Sequence, residues 1–174
     1  MTAFTNKVDF AVIFTVNKAN PNGDPLSGNQ PRIDFKGFGE VSDVCIKRKI
    51  RNRLQDMGEN IFVQSDERSN DGFKSLSERA SNNKELKAVL KDREAYASAA
   101  CKQWTDVRAF GQVFAFKANN VSVGVRGPVS IRTAESINPV VTTDMQITKS
   151  VNSEPSEKRS SDTMGMKHLS LIHI

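Results

Sequence analysis

Residues 8–16 alternate with period two: Val8, Phe10, Val12, Phe14 and Val16 fall on one parity, Asp9, Ala11, Ile13 and Thr15 on the other. β-branched and aromatic residues at that period predict a strand. The next stretch, Asn17-Lys18-Ala19-Asn20-Pro21-Asn22-Gly23-Asp24-Pro25, is a cluster of turn formers that continues neither strand nor helix, and a long polar loop follows. Ser42 then stands as an N-cap with Asp43 in the first turn, and Ile46, Ile50, Leu54 and Met57 form one apolar stripe before Gly58. That pattern predicts a helix ending at Met57, with Gly58 as its stop. Ile61-Phe62-Val63-Gln64 reads as a short strand, and residues 65–83 as a polar, exposed insertion. Ser81 is placed to cap a second helix from Lys84 to about Trp104, with Leu86, Val89, Leu90, Ala97 and Ala100 for packing. Alternation returns over residues 121–131 as a strand or broken hairpin. Thr and Val keep a β-like content over residues 137–151, and a Ser/Glu/Lys-rich loop runs to residue 162. Strand, helix, strand, insertion, helix and strands in that order suit an α+β domain of the split βαβ, ferredoxin-like kind.

Composition sharpens this reading. The 174 residues are 37% hydrophobic and include ten Phe, enough apolar material for a core, while no apolar run approaches the ~20 residues of a membrane span. Met1-Thr2-Ala3-Phe4-Thr5-Asn6-Lys7 has no basic region ahead of an apolar block. Cys45 and Cys101 stand apart, so neither a CxxC pair nor a zinc cluster is available, and they read as reduced core cysteines of a cytoplasmic protein. His168 and His173 are the only histidines, which leaves the body of the chain without one for general-base or metal chemistry. No metal and no cofactor are expected.

The net charge of +5 is unevenly placed. Lys47, Arg48, Lys49, Arg51 and Arg53 crowd the first helix against only Asp43 and Asp56, without the interleaved Glu that normally balances a solvated face. Beside the solvated-face reading stands the sharper one, a contact with a phosphate backbone. Gly37-Phe38-Gly39 precedes that helix, but Ser42 occupies the third glycine position of a dinucleotide loop. Either a plain turn or an anion site at the helix start fits it. Phe35, Phe38, Phe110, Phe114 and Phe116 lie among Arg32, Lys36, Arg108 and Lys117. They fit core packing or base stacking in a single-strand binder. The carboxylates Asp9, Asp24, Asp34, Asp43 and Asp106 show no spacing that pairs them, so a metal-dependent nuclease stays a weak alternative.

Leu169-Ser170-Leu171-Ile172-His173-Ile174 changes character abruptly and reads as an in-frame translation of a sequencing-library adapter. The expectation is an N-terminal piece whose native residues are 1–168, followed by a non-native tail, 169–174.

Several ordered blocks carry a resemblance. They are Asn20-Pro21-Asn22-Gly23-Asp24-Pro25, Asn29-Gln30-Pro31-Arg32-Ile33-Asp34, Gly37-Phe38-Gly39 and Ser42-Asp43-Val44-Cys45-Ile46-Lys47-Arg48-Lys49-Ile50-Arg51-Asn52. Further on come Asp106-Val107-Arg108-Ala109-Phe110-Gly111, Arg126-Gly127-Pro128-Val129, Ser136-Ile137-Asn138-Pro139, Gln146-Ile147-Thr148-Lys149 and Thr163-Met164-Gly165-Met166-Lys167-His168. Over residues 8–168 this set closely resembles the backbone subunit of the type I-C CRISPR Cascade complex, the Csd branch of the Cas7 family. The resemblance implies a ferredoxin-like palm truncated at its C-terminus, with a protruding β-hairpin thumb in residues 137–162. It implies copies stacked along a CRISPR RNA beside other Cascade subunits, presenting the guide for pairing with target DNA, and no catalysis by the subunit itself. Carried over by matching position, Lys47, Arg48, Lys49 and Arg51 are expected near guide phosphates. Asn22, Arg32 and Arg108 follow from matching loops, and Met145, Thr148 and Lys149 from the thumb. The alternatives are a metal-dependent RNA nuclease on a related scaffold and a stand-alone RNA-binding module.

Overall fold

The computed structural model describes residues 5–116, 121–148 and 166–172. The chain divides into two compact units, Met1–Val41 with Ala134–Ile174, and Ser42–Thr133.

The first unit is built from short antiparallel ladders. β1 (Gly23–Asp24) pairs with β2 (Gln30–Pro31) around a 3-10 turn at Pro25–Ser27, which Asp24 caps by accepting from the Leu26 amide at 3.1 Å. The chain turns again through Asp34 into β3 (Phe38–Val41), which pairs with β6 (Ala134–Pro139), Val41 opposite Ala134. β7 (Thr143–Thr148) pairs with β8 (Met166–Leu171), Thr143 opposite Leu171 and Thr148 opposite Met166. β8 runs across position 168 without a break, and Ile172 is buried and bridges Ala19.

Residues 8–16 depart from the strand their alternation predicts. Among the described residues they join no ladder, and Val8, Phe10, Val12, Ile13 and Phe14 are exposed, with Val16 alone buried. One parity of this segment is wholly apolar and the other mixes Asp9 and Thr15 with Ala11 and Ile13, so its pattern suits a strand with one face buried and its edges hydrogen-bonded to neighbours. Without such a neighbour the alternation cannot form a ladder by itself.

The second unit packs helices on a hairpin. α1 (Asp43–Asp56) starts where the sequence places it: Ser42 Oγ accepts from the Cys45 amide at 3.3 Å, Met57 is the C-cap, and Gly58 follows at φ +87°. α2 (Leu76–Asn82) comes first, the predicted single helix from Lys84 to about Trp104 forms as two, α3 (Lys84–Ala88) and α4 (Arg93–Gln103), and α5 (Thr105–Phe110) follows. Ser75, Asn83 and Asp92 cap α2, α3 and α4, and the caps at Asn83 and Asp92 compete with continuing the helix before each. β4 (Gly111–Phe116) and β5 (Val121–Arg126) pair in register, Gly111 opposite Arg126. Phe62, Leu86, Tyr96, Ala100, Trp104, Val107, Phe114 and Val123 form the core of this unit. The rings interlock there, Phe62 lying 4.6 Å from Trp104 and 5.1 Å from Phe114, while Tyr96 meets Phe114 edge-on at 5.4 Å.

Ile61-Phe62-Val63-Gln64 forms no ladder either, because side chains answer its backbone. The fully buried Asp106 accepts from the amides of Phe62 (2.7 Å) and Val63 (3.1 Å). The Phe62 carbonyl accepts from Arg79 at 2.8 Å and the Val63 carbonyl from Arg48 at 2.7 Å. Arg79 is buried at 5% exposure, so the region expected as an exposed insertion is anchored at its C-terminal end. Its guanidinium also donates to Asp71 at 2.9 Å, which ties the loop of residues 65–75 to the core segment. Overall the described elements are mixed α and β, in keeping with the α+β class.

Replacing Asp106 by Ala is expected to cost about 3–5 kcal/mol, because it leaves the mostly buried Arg51 guanidinium, the buried Phe62 amide and the partly buried Val63 amide without their acceptor. Urea denaturation read by far-UV circular dichroism measures this, and an unchanged midpoint would refute the central role given to that carboxylate. A pH series tests the Arg79 anchor. Its hydrogen bond holds the Asp71 carboxyl below the usual 3.8. A folded-state pKa below the unfolded one contributes stability that is complete above the unfolded value and is lost as pH falls through the folded one. The thermal midpoint of the wild-type chain should therefore drop more steeply below about pH 4 than that of Asp71→Asn.

Candidate nucleic-acid interface

The five cations of α1 divide by the turn of the helix. Arg51 points inward: its Nε donates to Asp106 Oδ2 at 2.9 Å, and its guanidinium lies 5.1 Å from the centroid of Phe110. Arg48 is likewise half-buried on the Val63 carbonyl, and burial, with Arg51 nearby, pulls its pKa down while Asp106 opposes. Lys47 Nζ pairs with Asp43 at 3.0 Å, an i,i+4 contact that lowers the Asp43 pKa chiefly through that hydrogen bond. Lys49 and Arg53 face solvent.

Lys47 also lines an open groove of about 600 Å³ within the second unit. The other walls come from the α5–β4 junction, the end of β5 and the segment after it: Phe110, Gly111, Gln112, Val113, Gly124, Val125, Arg126, Gly127, Val129, Ser130 and Ile131. Two cations, Lys47 and Arg126, line this groove and no carboxylate does. Glycine gives it a bare backbone floor, for two different reasons. Gly111 (φ +81°) and Gly127 sit where the chain crosses itself, and a Cβ on Gly127 would lie 2.2 Å from the Ala109 carbonyl oxygen. Gly124 faces open space, with nothing within 4 Å of its would-be Cβ. A positively lined channel with an accessible backbone suits a polyanion that approaches the main chain closely.

The remaining sequence-predicted residues lie elsewhere. Asn22 and Arg32 meet across neighbouring strands of the first unit, the Arg32 amide donating to the Asn22 carbonyl at 3.0 Å. Arg32 also pairs with Asp24 at 3.4 Å, and its buried Nε has no hydrogen-bond partner among the described residues. Arg108 is exposed on α5, where its charge partly offsets the burial that raises the Cys101 pKa. Met145 lies on β7 opposite Leu169 and is 42% exposed, Thr148 lies opposite Met166, and Lys117, Lys149 and the rest of residues 149–162 fall outside the described residues.

Gly37-Phe38-Gly39 resolves as a turn. The Gly37 amide donates to the Asp34 carbonyl at 3.1 Å, Phe38 to Asp34 Oδ1 at 2.8 Å and Gly39 to Ser136 Oγ at 2.9 Å. With its amides so engaged, the loop is not an anion cradle. Of the aromatics, Phe114 is core, Phe116 packs on it, Phe110 lies under Arg51, and Phe35 is exposed.

The acids considered for hydrolysis are similarly engaged: Asp24 and Asp34 on turn amides, Asp43 and Asp9 on lysines, Asp106 in the core. Among the described residues no three His, Cys, Asp or Glu side chains gather where a metal ion could sit. No described helix is long and apolar enough to cross a membrane. Arg126 and the three glycines escaped the sequence-based choice, although the run Arg126-Gly127-Pro128 closing an alternating strand was a readable signal.

A family model described as CRISPR-associated protein Cas7 matches residues 6–172. The chain is also similar to a CRISPR-associated protein Cas7 of Haloferax volcanii, 30% identical over 150 residues. That alignment covers 78% of this chain and 44% of the relative, so the chain spans less than half of the relative's length.

The two kinds of floor glycine make opposite predictions. Gly127→Ala should lower the thermal midpoint, since its Cβ meets backbone that cannot move aside, whereas Gly124→Ala should leave stability within about 0.5 kcal/mol. Equal effects in thermal unfolding would contradict the packing described.

Proposed function

The chain belongs to the Cas7 family, and on that footing we propose that it is a CRISPR RNA-binding backbone subunit of a type I-C Cascade complex. The observation that carries the reading is the groove lined by Lys47 and Arg126 over the Gly124 backbone, with no carboxylate among its lining residues. A sugar-phosphate chain lies in it without sequence preference, since phosphate contacts position a nucleic acid and base contacts specify it. Successive copies and other Cascade subunits then hold the guide extended, and its bases read target DNA by pairing. On this reading the chain contributes to a ferredoxin-like palm, with a thumb in residues 137–162 that includes β7, and cleaves nothing. The engagement of Asp24, Asp34, Asp43 and Asp106 within the fold supports the non-catalytic part.

The α1 cations then have two functions. Lys47, with Arg126 and the solvent-facing Lys49, meets phosphate; Arg51 and Arg48 hold the helix to the core segment. Fluorescence anisotropy with labelled single-stranded RNA over a salt series separates them. Each phosphate contact contributes about 0.7 to the slope of log K against log salt for single strands. Lys47→Glu with Arg126→Glu should reduce the slope by about 1.4 and leave the thermal midpoint near wild type. Arg51→Ala should do the reverse, lowering the midpoint while the folded fraction keeps its slope. Unchanged binding in the double variant would sink the groove as the RNA site, and magnesium-dependent cleavage products would sink the non-catalytic reading.

A further inference from the structure

The turn at residues 33–39 presents an aromatic ring that the fold does not use. Phe35 is 94% exposed at the tip of a hairpin closed by the Ile33–Gly39 bridge, and among the described residues its ring contact is the Lys36 ammonium, 5.4 Å from the centroid. The turn beneath is fixed at both ends. Asp34 Oδ1 accepts from the amides of Lys36 and Phe38, both at 2.8 Å. The Asp34 amide donates to the Phe38 carbonyl at 2.8 Å, and Gly37 completes the turn at φ +87°. A phenylalanine held this far out adds nothing to the core, and the backbone order needed to present it is already in place before any partner arrives.

We propose that this tip is a stacking contact for single-stranded nucleic acid, Phe35 taking the face of an unpaired base and Lys36 the adjoining phosphate. The surroundings of the ring favour that occupant over a protein surface. Asp34, Lys36 and Gly37 flank it in sequence, and the exposed apolar residues of this hairpin are Phe35 and Ile33, the latter 48% exposed, which is less than the contiguous apolar patch that a protein interface core requires. A lone ring beside a cation matches the two chemical parts of a nucleotide, a π-face and an anion. The inference rests on the reading above that the chain binds single-stranded RNA, and it adds a contact in the first unit that the groove of the second does not contain.

The test uses the full chain and a single-stranded RNA carrying 2-aminopurine, whose fluorescence falls when the base stacks on an aromatic ring. Phe35→Ala should weaken binding roughly tenfold, the scale of one base–aromatic stack, and abolish the quench without changing the thermal midpoint. Phe35→Trp should restore both affinity and quench. Lys36→Gln should instead lower the salt slope by about 0.7 and keep the quench. If Phe35→Ala binds and quenches like wild type while Lys47→Glu with Arg126→Glu still weakens binding, the tip proposal fails and the RNA reading stands. If the wild-type chain binds no RNA even at low salt, both fail. A loss of self-association in Phe35→Ala, read by sedimentation velocity with RNA affinity unchanged, would make the ring a protein contact and overturn the proposal.

Discussion

One buried carboxylate organises the second unit. Asp106, on the short helix α5, receives the guanidinium of Arg51 from α1 and the amides of Phe62 and Val63 from a segment with no ladder of its own. These partners lie 55, 44 and 43 residues away in sequence, so the carboxylate joins parts of the chain that no local pattern connects. An ionised carboxylate in an apolar interior is costly unless its lone pairs are answered, and here three donors answer it. That requirement fixes where α1 lies against α5, and it is how residues 61–64 are held in place without strand neighbours.

The candidate interface is built on this arrangement. Arg51, drawn inward to Asp106, covers Phe110, and Phe110 opens the junction into β4, where Gly111 turns the chain onto the hairpin. With Arg51 and Arg48 turned in, Lys47, four residues before Arg51, is left at the wall of the groove that Arg126 on β5 also lines. Positive charge on a helix therefore does two kinds of work within a few residues. Inward guanidiniums replace missing backbone partners, as Arg48 and Arg79 do for the Val63 and Phe62 carbonyls, while Lys49 faces solvent and Lys47, paired with Asp43, stays at the groove wall.

Much of the local structure was legible in advance. Ser42, Asp43 and Gly58 bound α1 because a cap and a left-handed stop act through hydrogen bonds and sterics a few residues long. The periodicity after residue 83 predicts one helix where two form, because Asp92 also acts locally: its carboxylate accepts from the amides of Glu94 and Ala95 and starts α4 anew. The alternation of residues 8–16 was plain, but alternation records only which side chains want burial. Pairing needs a second chain segment, and none of the described ones meets it.

By itself the sequence determined the boundaries of α1, the α+β composition, the concentration of cations on that helix and the ordered blocks of the Cas7 family. Each of these is a property of neighbouring residues or of their order. Tertiary structure alone decided which cations are available. Whether an arginine meets a phosphate or a buried Asp106 depends on what lies beyond the end of its side chain, and that is set by residues dozens of positions away. It likewise settled that the glycines at 37 and 39 belong to a closed turn while those at 111, 124 and 127 line an open groove. Backbone freedom is written in the sequence, but the space next to that backbone is created only when the chain folds.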